Sequence, residues 1–127
     1  MWRPAMEQPA PPALSEEQLT EVVGRFYARV RRDAVLGPVF EGAVEDWNRH
    51  LHTLVAFWSS VVNGSGRYRG SPMQAHAAHA GLIEPAMFDR WLALWRETTA
   101  RVLPPAEAAL MQERAERMAV ALRKGIA

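Results

Sequence analysis

Apolar residues recur at helical spacing almost from one end of the chain to the other. Leu19, Val22, Val23, Phe26 and Val30 fall at i, i+3, i+4, i+7 and i+11, a single stripe on one helix. Ser15 and Gln18 form a capping-box signature ahead of it, and Leu14 with Leu19 a hydrophobic staple. Gly37-Pro38 predicts that this helix stops near Leu36. A second helix is expected from Asp46 to Val62, with Trp47, Leu51, Leu54, Val55, Trp58 and Val62 on its apolar face. His50 falls within that arc, and His52 falls on the polar side.

A glycine-punctuated loop follows, with Tyr68 inside it. Ser71-Pro72-Met73-Gln74 then reads as another helix start, with Pro at the favoured first position. Gly81 closes this helix after about nine residues. It carries Met73, His76 and His79 on an alanine background, so aliphatic packing alone has little to hold it by. A fourth helix begins near Glu84-Pro85, with Phe88, Trp91, Leu92, Trp95 and Val102 as its stripe. Pro104-Pro105 ends it and opens a fifth, lined by Met111, Ala115, Met118, Ala119 and Leu122. No segment alternates with period two, and the expected class is all-α, built of five helices.

Composition adds bounds. The 127 residues suit one domain, with residues 1–13 as a disordered Pro-containing tail and 14–127 as the folded unit. A net charge of +1 without a long basic run gives no footprint for nucleic acid. The absence of cysteine removes disulfides, thiolate chemistry and thiolate ligation. No stretch reaches the roughly 20 apolar residues of a membrane helix or resembles a signal peptide, so a cytoplasmic location is expected. Five Trp and four Phe mean either a core of large residues or a core built around a flat apolar ligand.

The histidines sharpen that alternative. His52 reads as a solvated surface residue, and His50 alone would be an ordinary core histidine. His76 and His79 have a spacing that occasionally serves zinc, but zinc would need further converging ligands. A haem iron instead needs one axial imidazole, an apolar slot and a few polar groups on the opposite side. Tyr27, His50 and Trp91 are three hydrogen-bond donors on otherwise apolar faces, and a core buries such groups at a cost unless they meet a polar object. A helical interaction module without haem stays open on this reading.

In order, Phe26-Tyr27, Leu36-Gly37-Pro38-Val39-Phe40, Trp47, His50, Phe57-Trp58, Gly66, Tyr68, Gly70, Pro72, His76, Phe88, Trp91 and Leu92 form a pattern that resembles the truncated haemoglobins, in particular their third group. The resemblance implies a two-over-two helical sandwich around haem b. It implies His76 as the iron ligand, with His79 as its rival because the stretch after His79 leaves the register ambiguous. Tyr27, His50 and Trp91 would face the bound ligand. Phe26, Phe40, Trp47, Leu54, Phe57, Tyr68, Met73 and Trp95 would contact the haem. The function implied is binding of oxygen, nitric oxide or other diatomic ligands in a Tyr27–Trp91 cage, for nitric oxide or peroxide detoxification rather than bulk oxygen transport. A haem-based sensor or a redox partner acting through its surface is the alternative. An unidentified reductase, no nucleic acid, no membrane, and a monomer or weak homodimer complete the expectation.

Overall fold

The computed structural model describes residues 13–77, 81 and 83–126, and among these there is no strand. Six helices follow one another: α1 (Glu16–Arg32), α2 (Leu36–Ala43), α3 (Trp47–Asn63), α4 (Pro72–Ala77), α5 (Pro85–Val102) and α6 (Pro105–Ile126). The expected tail falls almost wholly outside the described residues, as does His79. None of the described helices is long and apolar enough to cross a membrane.

Helix α1 begins as its sequence predicts. Ser15 Oγ accepts from the Gln18 N–H at 3.1 Å, and the Gln18 side chain accepts from the Ser15 N–H at 2.9 Å. Leu14 and Leu19 are both buried beside this cap. Asn63, at the far end of α3, clamps the Leu14 backbone through both its N–H and its carbonyl. The start of α1 is thereby fixed to the end of α3.

The end of α1 corrects the expectation. The helix stops at Arg32, and the Gly37-Pro38 pair lies in the first turn of a separate helix, α2. Asp33 makes the break. Its backbone is extended, and its carboxylate accepts the N–H groups of Val35 and Leu36, each at 3.0 Å. Pro38 is tolerated because first-turn N–H groups have no partner within the helix. Gly37 is required for a different reason: a Cβ there would sit 2.8 Å from the Arg31 carbonyl oxygen. Arg90 of α5 pairs with the nearly buried Asp33 carboxylate at 2.5 Å and holds it below the usual carboxylate range, tying the α1–α2 corner to α5.

The remaining boundaries follow their signals. Asp46 caps α3 by accepting from the Arg49 N–H, and Gly64 ends it in the left-handed region at φ 66°. Ser71 Oγ accepts from the Gln74 N–H at 3.2 Å to start α4. The described part of α4 runs to Ala77. Pro85 and Pro105 stand at the first positions of α5 and α6.

Helices α1 and α3 form one pair, α5 and α6 the other, with α1 also packed on α5 and α3 on α6. Between the pairs lies a column of aromatic rings. Trp58 stacks on Trp95 (4.8 Å, 17°), Trp95 stacks on Trp91 (5.1 Å, 18°), and Phe26 meets both Trp91 and Trp95 edge to face. Trp95 is fully buried and donates its indole N–H to the Met111 carbonyl, joining α5 to α6. This is the expected two-over-two sandwich.

Candidate functional site

The two helix pairs do not close on each other everywhere. They leave a cavity of about 470 Å³, within the 300–1,000 Å³ range of small-molecule and cofactor sites. All of α1 to α6 contribute to its lining, which is predominantly apolar. Of the residues expected at the site, Tyr27, Phe40, His50, Leu54, Phe57, Tyr68, His76 and Trp91 line this cavity together.

Four others stand elsewhere. Phe26 and Trp95 belong to the buried aromatic column behind Tyr27 and Trp91. Trp47 packs beside Phe40 and His50 under the Arg31 guanidinium, which lies 4.5 Å above its ring. Met73 packs against the small cluster of Phe88, Ala119 and Leu122. These four support the lining residues without forming the cavity surface.

Three polar side chains gather at the α1–α3–α5 part of the lining. Tyr27 is 4% exposed, and its ring meets His50 edge to face at 6.0 Å and Phe40 at 5.7 Å. Burial pushes the Tyr27 phenol well above its ordinary range; the neighbouring Trp91 side chain acts in the opposite, weaker sense. Tyr27 is therefore a neutral donor at any physiological pH. Burial also lowers the His50 pKa from its ordinary 6.5, favouring the neutral imidazole. Its Nε2 is buried and has no hydrogen-bond partner among the described residues. A buried polar atom left this way is costly unless a further group completes it.

His76 sits in a different setting. Its Nδ1 lies 2.7 Å from the Pro72 carbonyl oxygen, one turn earlier on α4. A carbonyl can only accept, so in the neutral ring the proton is on Nδ1 and the lone pair on Nε2. Phe88 lies nearly parallel to the imidazole, with centroids 6.4 Å apart. Arg123 lies 5.5 Å over the Phe88 ring and pairs with Asp89.

His52 lies on the exposed side of α3, on a surface groove rather than the cavity, so the two histidines of α3 divide as their helical directions predict. Among the described residues, no three His, Asp or Glu side chains converge as a zinc site would require. The lining instead suits haem: an oriented imidazole with its Nε2 lone pair available, apolar walls, and polar side chains of which one has an incomplete hydrogen-bond set.

Sequence reasoning missed two parts of the wall. Val39 and Ala43 come from α2, a helix the Gly-Pro pair concealed. Ala115, Met118, Ala119 and Leu122 come from α6, whose apolar stripe was legible but whose contact with a cavity was not. Their i, i+3, i+4, i+7 spacing was the available signal.

Residues 15–124 match the family model of the bacterial-like globins. A group 3 truncated haemoglobin of Campylobacter jejuni is 30% identical over 89 residues, covering 67% of this chain and 69% of that protein. A group 1 truncated haemoglobin of Nostoc commune is 36% identical over 72 residues, covering 56% of this chain and 58% of that protein. The crystal structure of a group III truncated haemoglobin from Campylobacter jejuni superposes with a TM-score of 0.81 at 27% identity, covering 90% of this chain and 92% of that one.

Proposed function

Because the chain belongs to the bacterial-like globin family, we propose that it binds haem b through His76 Nε2 and uses Tyr27, Trp91 and His50 to act on small diatomic ligands. Globins bind haem and, through it, oxygen and other small diatomic ligands. The b-type assignment rests on the sequence, since covalent attachment of the c-type needs cysteines and this chain has none. When bound, haem supplies an iron centre that takes up such ligands and exchanges electrons with them.

This chain's residues contribute orientation and protons. The Pro72 carbonyl holds the His76 proton on Nδ1 and so leaves the lone pair on Nε2. Tyr27 presents a hydroxyl that stays protonated, and Trp91 an indole N–H that cannot ionise. Neutral hydrogen bonds contribute about 0.5–1.5 kcal/mol each, and more to an acceptor carrying charge. At about 1.4 kcal/mol per tenfold, two such donors slow escape of a partly anionic ligand by one to three orders of magnitude.

Slow release suits chemistry on the ligand, such as nitric oxide oxidation or peroxide reduction, better than bulk oxygen transport. His50 is neutral and half-buried beside Tyr27, so it can accept or return a proton there. The observation that carries the reading is the apolar cavity that brings His76 together with these three polar side chains. Rapid-mixing kinetics of the reduced protein with oxygen, nitric oxide and hydrogen peroxide test it. Slow oxygen release with fast consumption of nitric oxide or peroxide is expected; rapid reversible oxygen exchange with neither reaction overturns it.

A further inference from the structure

A shallow groove runs along the outside of α3, lined among others by Arg49, His52, Thr53, Arg67, Tyr68 and Arg69. The chain as a whole is nearly balanced, with 15 basic and 14 acidic residues, yet no carboxylate lines this groove. Arg67 is paired with Glu16 through two contacts of 2.8 and 2.9 Å, the only ion pair made by the lining among the described residues. Asp46 caps the same helix through the Arg49 backbone N–H, leaving the Arg49 guanidinium without a carboxylate partner among the described residues. Among the described residues, Arg49 and Arg69 therefore present positive charge with no carboxylate paired to it.

The groove also adjoins the cavity. Thr53 and Tyr68 line both, so the partition between them is one side chain thick. Tyr68 is held firmly: its backbone N–H donates to Ser60 Oγ at 2.9 Å, and its ring meets Phe57 edge to face at 5.2 Å. Gly70 leaves room for the ring, since a Cβ there would lie 2.6 Å from the Tyr68 hydroxyl.

We infer that this groove docks the acidic face of an electron-donor protein carrying a flavin or iron–sulfur centre. The inference rests on haem occupying the adjoining cavity. Positive charge without a counter-charge steers an acidic partner and sets its orientation. Seating it over Thr53 and Tyr68 brings its redox centre to the thin partition. One electron leaves the donor's reduced centre, oxidising it by one equivalent, and ferric haem becomes ferrous; no atom is transferred.

The test uses the haem-loaded full chain and photoreduced acidic flavodoxin as the donor, with carbon monoxide trapping the ferrous form. Photoreduced 5-deazariboflavin, which is uncharged, serves as the comparison reductant. The wild type should be reduced by flavodoxin at a rate that falls between about 10 mM and about 200 mM salt. R49E/R69E should slow that reaction by about tenfold or more and lose its salt dependence, whereas R49K/R69K retains it. Both variants should keep the wild-type Soret spectrum and the wild-type rate with 5-deazariboflavin. A salt-independent wild-type rate, or an R49E/R69E rate equal to wild type, overturns the inference. So does failure of R49E/R69E to load haem, which would assign the arginines to the haem carboxylates. Failure of the wild type itself to take up haem refutes the function proposed above instead.

Discussion

The imidazole of His76 and the carbonyl of Pro72 are joined across 2.7 Å, one turn apart on α4. The relationship fixes a tautomer. In the protein without haem, nitrogen-15 correlation spectra of neutral His76 should show the proton on Nδ1. A dominant Nε2–H form would mean that the ring is turned and the ligating atom misassigned.

Tyr27 is buried against Phe26, Phe40 and His50, and burial keeps its phenol neutral. Y27F removes the hydroxyl while keeping the ring that packs there. Oxygen should leave the ferrous variant about tenfold faster or more, the equivalent of about 1.4 kcal/mol or more in lost stabilisation. An unchanged dissociation rate, measured by stopped flow, would remove Tyr27 from the ligand site.

His50 makes the fold sensitive to acid. Its folded pKa lies below the ordinary 6.5, so below pH 6.5 the unfolded chain takes up a proton that the folded one resists. Stability of the haem-free protein should therefore fall as pH drops through this window, and level off below the folded pKa as far as His50 is concerned. Urea unfolding of wild type and H50Q between about pH 7.5 and pH 4.5 isolates the effect. The wild type should lose stability relative to H50Q as the solution is acidified; a constant difference would show that His50 titrates alike in both states.

Gly37 lies where α2 starts against the Arg31 carbonyl. A methyl group in G37A has 2.8 Å to that oxygen, and the obstacle is backbone. Overpacking of this kind costs about 1–3 kcal/mol, visible as a lower urea midpoint with little change in slope. A midpoint equal to wild type would mean that α2 shifts freely. Phe40, on that helix, would then be loosely held too.

Much of this is legible in the amino-acid sequence. The Ser15–Gln18 box and the Ser71-Pro72 start are local, and local hydrogen bonding decides them. The opposite fates of His50 and His52 follow from two residues' rotation on one helix. The α2 helix was hidden because Gly37-Pro38 breaks a helix in its interior but suits the first turn of the next. What selects the second reading is the Asp33 carboxylate, which accepts two backbone N–H groups and pairs with Arg90 of α5. That last contact spans 57 residues and leaves no local trace. Depth was also illegible. Helical direction puts Phe26 and Trp95 inward, but not whether they face the cavity or stand one layer behind it. For α6, a stripe of Ala115, Met118, Ala119 and Leu122 reads alike against protein or against a ligand.

The most direct measurement is haem titration of His76→Gly with and without added imidazole, followed by its Soret band and ferrous spectrum. The account predicts weak, altered haem binding by the variant, restored toward wild type by imidazole entering the vacated position, while His79→Ala titrates as wild type. An H76G variant that binds haem as wild type, with an unchanged ferrous spectrum and no response to imidazole, would contradict His76 as the ligand.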